Sequence, residues 1–130
     1  MRTKRRNYIF EDDRLKSFKD WDFSESQSCN AQKMAEAGFF CIGREAAACF
    51  MCGKELDGWE EQDDPWMEHK KHAPQCYFVK NWKKQNDYTV HELILLLETY
   101  AKNQQEKKHL DKMMKYTEQQ DKIRDEIMKK

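Results

Sequence analysis

Residues 49–76 read CFMCGKELDGWEEQDDPWMEHKKHAPQC, and the fold hangs on four of them: Cys49, Cys52, His69 and Cys76. Their spacing is C-x₂-C-x₁₆-H-x₆-C. Three soft sulfurs and one imidazole are the donor set a tetrahedral zinc ion takes. Four protein ligands fill the shell and leave no position for water or substrate. A closed Cys₃His site of this kind is structural, which argues against metal catalysis.

Composition makes such a staple necessary. The chain has 130 residues, 38% hydrophobic and 37% charged. Ordinary domains run at about 45–50% apolar and about 25% charged, so the core must be small for the length. A structural zinc contributes on the order of 10 kcal/mol to folding, enough to offset a small core. Basic and acidic residues balance at 24 each. That excludes a strongly basic nucleic-acid footprint over the whole chain. No apolar run reaches the ~18 residues of a membrane span. The start, MRTKRRNYIF, is basic but has no apolar stretch after it, so no secretory signal is expected. Five cysteines without such a signal point to a reducing compartment and to metal rather than disulfides. Cys29 and Cys41 are left over and read as small buried or half-buried hydrophobes.

All four glycines and both prolines fall between Gly38 and Pro74. The chain thus divides into a compact module and a long helix, with the boundary near residues 86–88. Residues 1–9 read as a basic, disordered tail, 10–86 as the zinc-binding domain and 87–130 as the helix. Arg2, Lys4, Arg5 and Arg6 in the tail leave a contact to nucleic acid or an acidic nucleosome surface open. Asn30 should cap a helix over 31–37 that Gly38 stops. Strand-like runs follow at 39–42, 47–51 and 55–59, punctuated by Gly43, Gly53 and Gly58, as in an antiparallel meander. Asp64-Pro65 should start a short helix carrying His69, and Pro74 should end it. Phe10, Leu15, Phe18, Trp21 and Phe23 suggest an N-terminal helix and turn packed on the core.

The second segment opens with Thr89-Val90-His91-Glu92, a capping box. Strong helix formers run from there to the end. Val90, Leu93, Leu96, Leu97 and Tyr100 make one apolar stripe. It weakens, then resumes at Leu110, Met113, Met114, Tyr116, Ile123 and Ile127. Such spacing marks a coiled-coil or bundle seam. A rod of roughly 60 Å cannot cover its own stripe and calls for partner helices; the alternative is a helix folded back on its module. We place the partner-helix interface at Leu93, Leu97, Tyr100, Leu110, Met113, Ile123 and Ile127.

The strings RLKSFKDWDF (14–23), MAEAGFF (34–40), CFMCGKELDGWE (49–60) and DDPWMEHKKHAPQC (63–76) resemble the baculoviral inhibitor-of-apoptosis repeat, the BIR domain. One such repeat followed by a long helix is similar to the single-repeat branch of that family. The resemblance implies an α+β fold: a small zinc-stapled module with a three-stranded antiparallel sheet and short helices, then one long C-terminal α-helix. It implies one structural zinc ion and no enzymatic activity. It further implies membership of the chromosomal passenger complex with Aurora B kinase, inner centromere protein and borealin. The long helix would then bundle with helices of the last two. Trp82 and Tyr88 stand where that branch self-associates as a homodimer; ordinary packing against the module is the other reading. Arg14 matches an arginine common in these domains, with a structural role. The implied locations are nucleus and centromere in mitosis, then spindle midzone and midbody, with a cytoplasmic pool; no membrane is involved.

Between Lys54 and Glu68 lie Glu55, Asp57, Glu60, Glu61, Asp63, Asp64 and Glu68 against one lysine, a net charge of −6. A run of acids is often only a solvated face. Beside an aromatic wall at Trp59 and a strand edge, it can instead hold a peptide's free α-amino end. By the family analogy Asp57 and Asp63 take that amine, and Leu56 and Trp59 shape a pocket for alanine. Lys54 and His72 stand where the branch contacts a phosphothreonine near the start of the histone H-three tail. Lys offers a point charge and His becomes cationic beside a dianion. The chain departs from the branch in three places. Asp57 replaces the usual Glu. The loop Trp59-Glu60-Glu61-Gln62-Asp63-Asp64-Pro65 lacks a proline and one acid. Trp66 is more typical of other BIR domains and reads as packing.

Three functions follow in order of support. One is a chromatin-reading adaptor that localises a mitotic kinase for chromosome segregation and cytokinesis. Another is an inhibitor of apoptosis acting on caspases or on antagonist peptides with N-terminal alanine. A zinc nucleic-acid module comes last, disfavoured by the acidic stretch. With Cys49, Cys52 and Cys76 committed to metal, no nucleophile–base pair remains.

Overall fold

The computed structural model describes residues 8–83 and 85–128. Among the described residues, five α-helices, a three-stranded sheet and one 3-10 turn follow in the order α1 (Glu11–Lys16), α2 (Ala31–Glu36), β1 (Phe39–Gly43), β2 (Ala46–Cys49), β3 (Glu55–Leu56), α3 (Pro65–His72), α4 (Tyr77–Lys80), the turn Gln85–Asp87 and α5 (Val90–Met128). The class is α+β. The sheet is antiparallel in the order β1-β2-β3, with Phe39 opposite Cys49 and Ala47 opposite Leu56.

Local chemistry sets most boundaries. Asn30 Oδ1 accepts the Lys33 N–H and caps α2. Asp64 Oδ1 accepts the Trp66 and Met67 N–H groups, and Pro65 takes the first turn of α3, where a missing N–H costs nothing. Thr89 Oγ1 accepts the Glu92 N–H while Glu92 Oε1 accepts the Thr89 N–H, so the capping box forms at the start of α5. Lys83 Nζ, 2.5 Å from Glu92 Oε2, joins the same corner. α2 is one residue shorter than expected, and β3 stops at Leu56 instead of running to residue 59. The cause is Gly58 at φ 68°, which turns the chain so that Trp59 leaves the strand and enters the core.

Gly38 sits at φ 95°, and a Cβ there would lie 2.9 Å from the Phe78 ring. Gly38→Ala is therefore expected to lower stability by about 1–3 kcal/mol, combining left-handed strain with overpacking. A melt within 1 °C of wild type would contradict this packing.

The core gathers Phe18, Cys29, Met34, Phe39, Ala47, Cys49, Phe50, Met51, Trp59, Cys76, Phe78 and Leu96. Arg14 is buried among them. Its Nε donates to Ala35 O at 2.8 Å, and Nη1 donates to Tyr8 O and Ile9 O at 3.0 and 2.7 Å. Its guanidinium lies 4.6 Å from the Phe50 ring centre. Burial, which disfavours the cation, brings its pKa down to about 10, so it stays charged at neutral pH. The residue thus ties the N-terminal segment to α2 and to the aromatic core. Tyr8, stacked on Phe40 at 4.3 Å, and Ile9, 6% exposed, belong to the folded module, not to the tail assigned to 1–9. The basic run Arg2–Arg6 lies outside the described residues.

The first turns of α5 lie on the module. Leu96 is buried, Leu93, Leu97 and Tyr100 pack against the core, and Asn103 Nδ2 donates to Met51 O at 3.3 Å. From Gln105 to Met128 every described residue is exposed. No described helix is long and apolar enough to cross a membrane.

Candidate metal centre and peptide groove

β2 ends in Cys49, the turn after it carries Cys52, α3 carries His69, and Cys76 caps α4. These four segments converge so that one ligand atom from each lies within 4.8 Å of all the others. Cys49 Sγ is 3.8 Å from Cys76 Sγ, and Cys52 Sγ is 3.8 Å from His69 Nε2. His69 Nδ1 is 2.7 Å from the Ala37 carbonyl oxygen. A carbonyl only accepts, so Nδ1 carries a proton, and Nε2 faces the sulfurs, free to ligate once a metal displaces any proton there. That orientation is what a ligating histidine needs.

The cluster's groups shift one another strongly. Hydrogen bonds from Cys49 and Cys52 hold the Cys76 thiol far below its ordinary range. Burial pushes Cys49 well up, and its sulfur neighbours add to this. Burial alone would lower His69, but its contacts to Cys52 and Cys76 win and raise it to about 9. A Cys₃His donor set can hold a metal ion. Cys49 and Cys76 have the Met51, Cys52 and Val79 N–H groups turned to them. Of the four ligands only Cys52 is exposed.

The stretch between Cys52 and His69 is mostly exposed, with Trp59 and Pro65 buried in it. β3 pairs with β2 on one side, and no described strand covers its other edge. The opposite edge of the sheet is partly closed, because Ser17 Oγ accepts the Cys41 N–H. Lys54 and Asp57 are exposed at the two ends of β3, and Leu56 is half-buried. Asp63 Oδ2 accepts the Glu60 N–H at 2.9 Å, closing the acidic turn. His72 Nε2 pairs with Glu68 Oε2 at 3.2 Å on α3. Trp59 is 4% exposed. Its ring stands edge-on to Phe39, and its Nε1 donates to Leu56 O. It supports β3 from beneath and offers little surface of its own.

The interface residues expected on the long helix separate into two groups. Leu93, Leu97 and Tyr100 are packed against the module, whereas Leu110, Met113, Ile123 and Ile127 are 54–68% exposed. Two features escaped sequence reasoning. Buried Cys29 donates its thiol to Glu60 O at 3.1 Å and, with the Ser28 N–H to Glu61 O, anchors the acidic turn. Asn103 fastens α5 to the metal knuckle. Neither has a signal in local spacing, since both contacts join residues more than thirty apart.

Residues 14–80 match the family model described as Inhibitor of Apoptosis domain, a span holding all four cluster residues. The chain is 40% identical over 120 residues to Baculoviral IAP repeat-containing protein 5 of Rattus norvegicus, covering 89% of this chain and 84% of that one. It is 40% identical over 109 residues to the protein of the same name from Mus musculus, covering 81% and 78%. It is also 42% identical over 87 residues to Baculoviral IAP repeat-containing protein 5.2-A of Xenopus laevis, covering 64% and 55%. With its metal cluster inside the matched span and these relatives matched across most of its length, the chain belongs to the inhibitor-of-apoptosis (BIR) family and is of the survivin type.

Proposed function

We propose that the chain is a non-enzymatic adaptor of the chromosomal passenger complex. Its BIR module reads the histone H-three tail bearing phosphothreonine, and its long helix joins helices of inner centromere protein and borealin. Through them it localises Aurora B kinase to centromeres, and later to the spindle midzone and midbody. One zinc ion in the Cys₃His cluster holds the module in shape.

The uncovered edge of β3 carries this reading. An extended peptide can add as a strand there, with Asp57 and Asp63 near its amino end and Lys54 with His72 available to a phosphate. Among the described residues the second carboxylate oxygen of Asp63 makes no hydrogen bond. The Glu68–His72 pair would open as the phosphate becomes the better partner. On α5, Met113, Tyr116, Gln120, Ile123 and Ile127 repeat at 3-4 spacing on one exposed face, as a bundle seam does. Leu110 extends that face toward the module.

The test is a titration of the zinc-loaded chain with histone tail peptides, with and without the phosphate, and with an antagonist-type peptide starting in alanine. The phosphorylated tail is expected to bind at least about tenfold more tightly than the plain one, as charge-assisted contacts do. Equal affinity would remove Lys54 and His72 from the reading. Tightest binding to the antagonist peptide would favour action on apoptosis instead.

A further inference from the structure

A groove runs beside the metal cluster, lined by Met51, Cys52, His72, Ala73, Tyr77 and Asn103 among others. Two of the cluster's cysteines, Cys52 and Cys76, line it. Cys49 and Cys76 are buried, whereas Cys52 is exposed. The sulfurs also differ in chemistry. Cys49 Sγ accepts the Met51 and Cys52 N–H groups at 3.3 and 3.5 Å. No backbone N–H reaches Cys52 Sγ among the described residues. Hydrogen bonds to a thiolate sulfur spread its charge and dull it as a nucleophile, and burial keeps reagents away. Burial sets Cys76 apart, and burial with hydrogen bonding sets Cys49 apart, which leaves Cys52 as the accessible sulfur.

We infer that Cys52 is an oxidative modification site, at which a peroxide enters the Cys₃His cluster through this groove and discharges its metal. The Cys52 thiolate attacks one peroxide oxygen. The O–O bond breaks, the leaving oxygen takes a proton, and Cys52 becomes a sulfenic acid. A neighbouring thiolate, Cys49 or Cys76, then attacks the Cys52 sulfur. An S–S bond forms, the S–O bond breaks, and hydroxide leaves to take a second proton. Two thiolates lose two electrons and the peroxide gains them. With hydrogen peroxide the products are one disulfide and two waters. Two of four ligands are consumed, so the remaining sulfur and imidazole hold metal weakly. The 53–68 stretch, framed by Cys52 and His69, loses its clamp at both ends. The half-exposed Cys41 is an internal control, since its thiol donates to Gly43 O and lies outside the cluster.

The experiment uses the intact zinc-loaded chain and hydrogen peroxide. Zinc release is followed with a chromophoric chelator, and sulfenic acid is trapped with dimedone and mapped by mass spectrometry. Dimedone is expected on Cys52 about tenfold sooner than on Cys49, Cys76 or Cys41, in step with zinc release. First labelling of Cys49 or Cys76 would overturn the assignment. So would labelling of Cys41 with zinc retained, or labelled Cys52 that keeps its metal.

Discussion

His69→Ala is expected to abolish metal loading and to leave the module without a cooperative melt. The loss is on the order of 10 kcal/mol when metal binding and folding are one equilibrium. The ring also fills space, being 1% exposed and 4.8 Å from the Phe39 ring centre, so Ala removes packing as well as a ligand. His69→Cys separates the two effects. It restores a fourth soft donor and should retain one equivalent of zinc with a weakened but cooperative melt. In both variants the part of α5 beyond Gln105 is exposed along its described length and should keep its helix. If His69→Ala kept one zinc per chain and melted cooperatively, the ligand assignment would be wrong.

The second large effect belongs to Arg14. Arg14→Met should cost about 3–5 kcal/mol, the range for removing one partner from a buried charged network. Three carbonyls, of Tyr8, Ile9 and Ala35, lose their donor together. For a module of this size each kcal/mol moves the midpoint by roughly 4–8 °C, so a fall of more than 10 °C is expected in a thermal melt. Arg14→Lys should recover little, because an ammonium cannot serve carbonyls on α2 and on the N-terminal segment at once. A midpoint within 3 °C of wild type in Arg14→Met would contradict the role of this network.

The cluster was legible in the sequence because soft donors at short spacing have few other uses. Asn30, Asp64-Pro65 and the Thr89–Glu92 box were legible because capping is a contact between near neighbours. Trp59 was harder. Its place in the strand-like run suggests a surface wall, but a left-handed Gly58 rotates it inward, and periodicity does not report one residue's φ. The 3-4 stripe of α5 weakens after Tyr100 and resumes at Leu110, and its spacing alone does not report which part is covered. Only the packed module shows that its first turns are covered at home and its distal turns are left open. Arg14 is the clearest case of family resemblance reaching past pattern, since an isolated arginine in a helix carries no mark of burial.

The central claim is that a closed Cys₃His site frames the binding stretch between Cys52 and His69. X-ray absorption at the zinc edge of the intact chain tests it most directly. The account predicts three sulfurs at about 2.3 Å and one imidazole nitrogen at about 2.0 Å, unchanged when the phosphorylated histone peptide is added. A shell with an oxygen ligand, or one that changes when peptide binds, would contradict it.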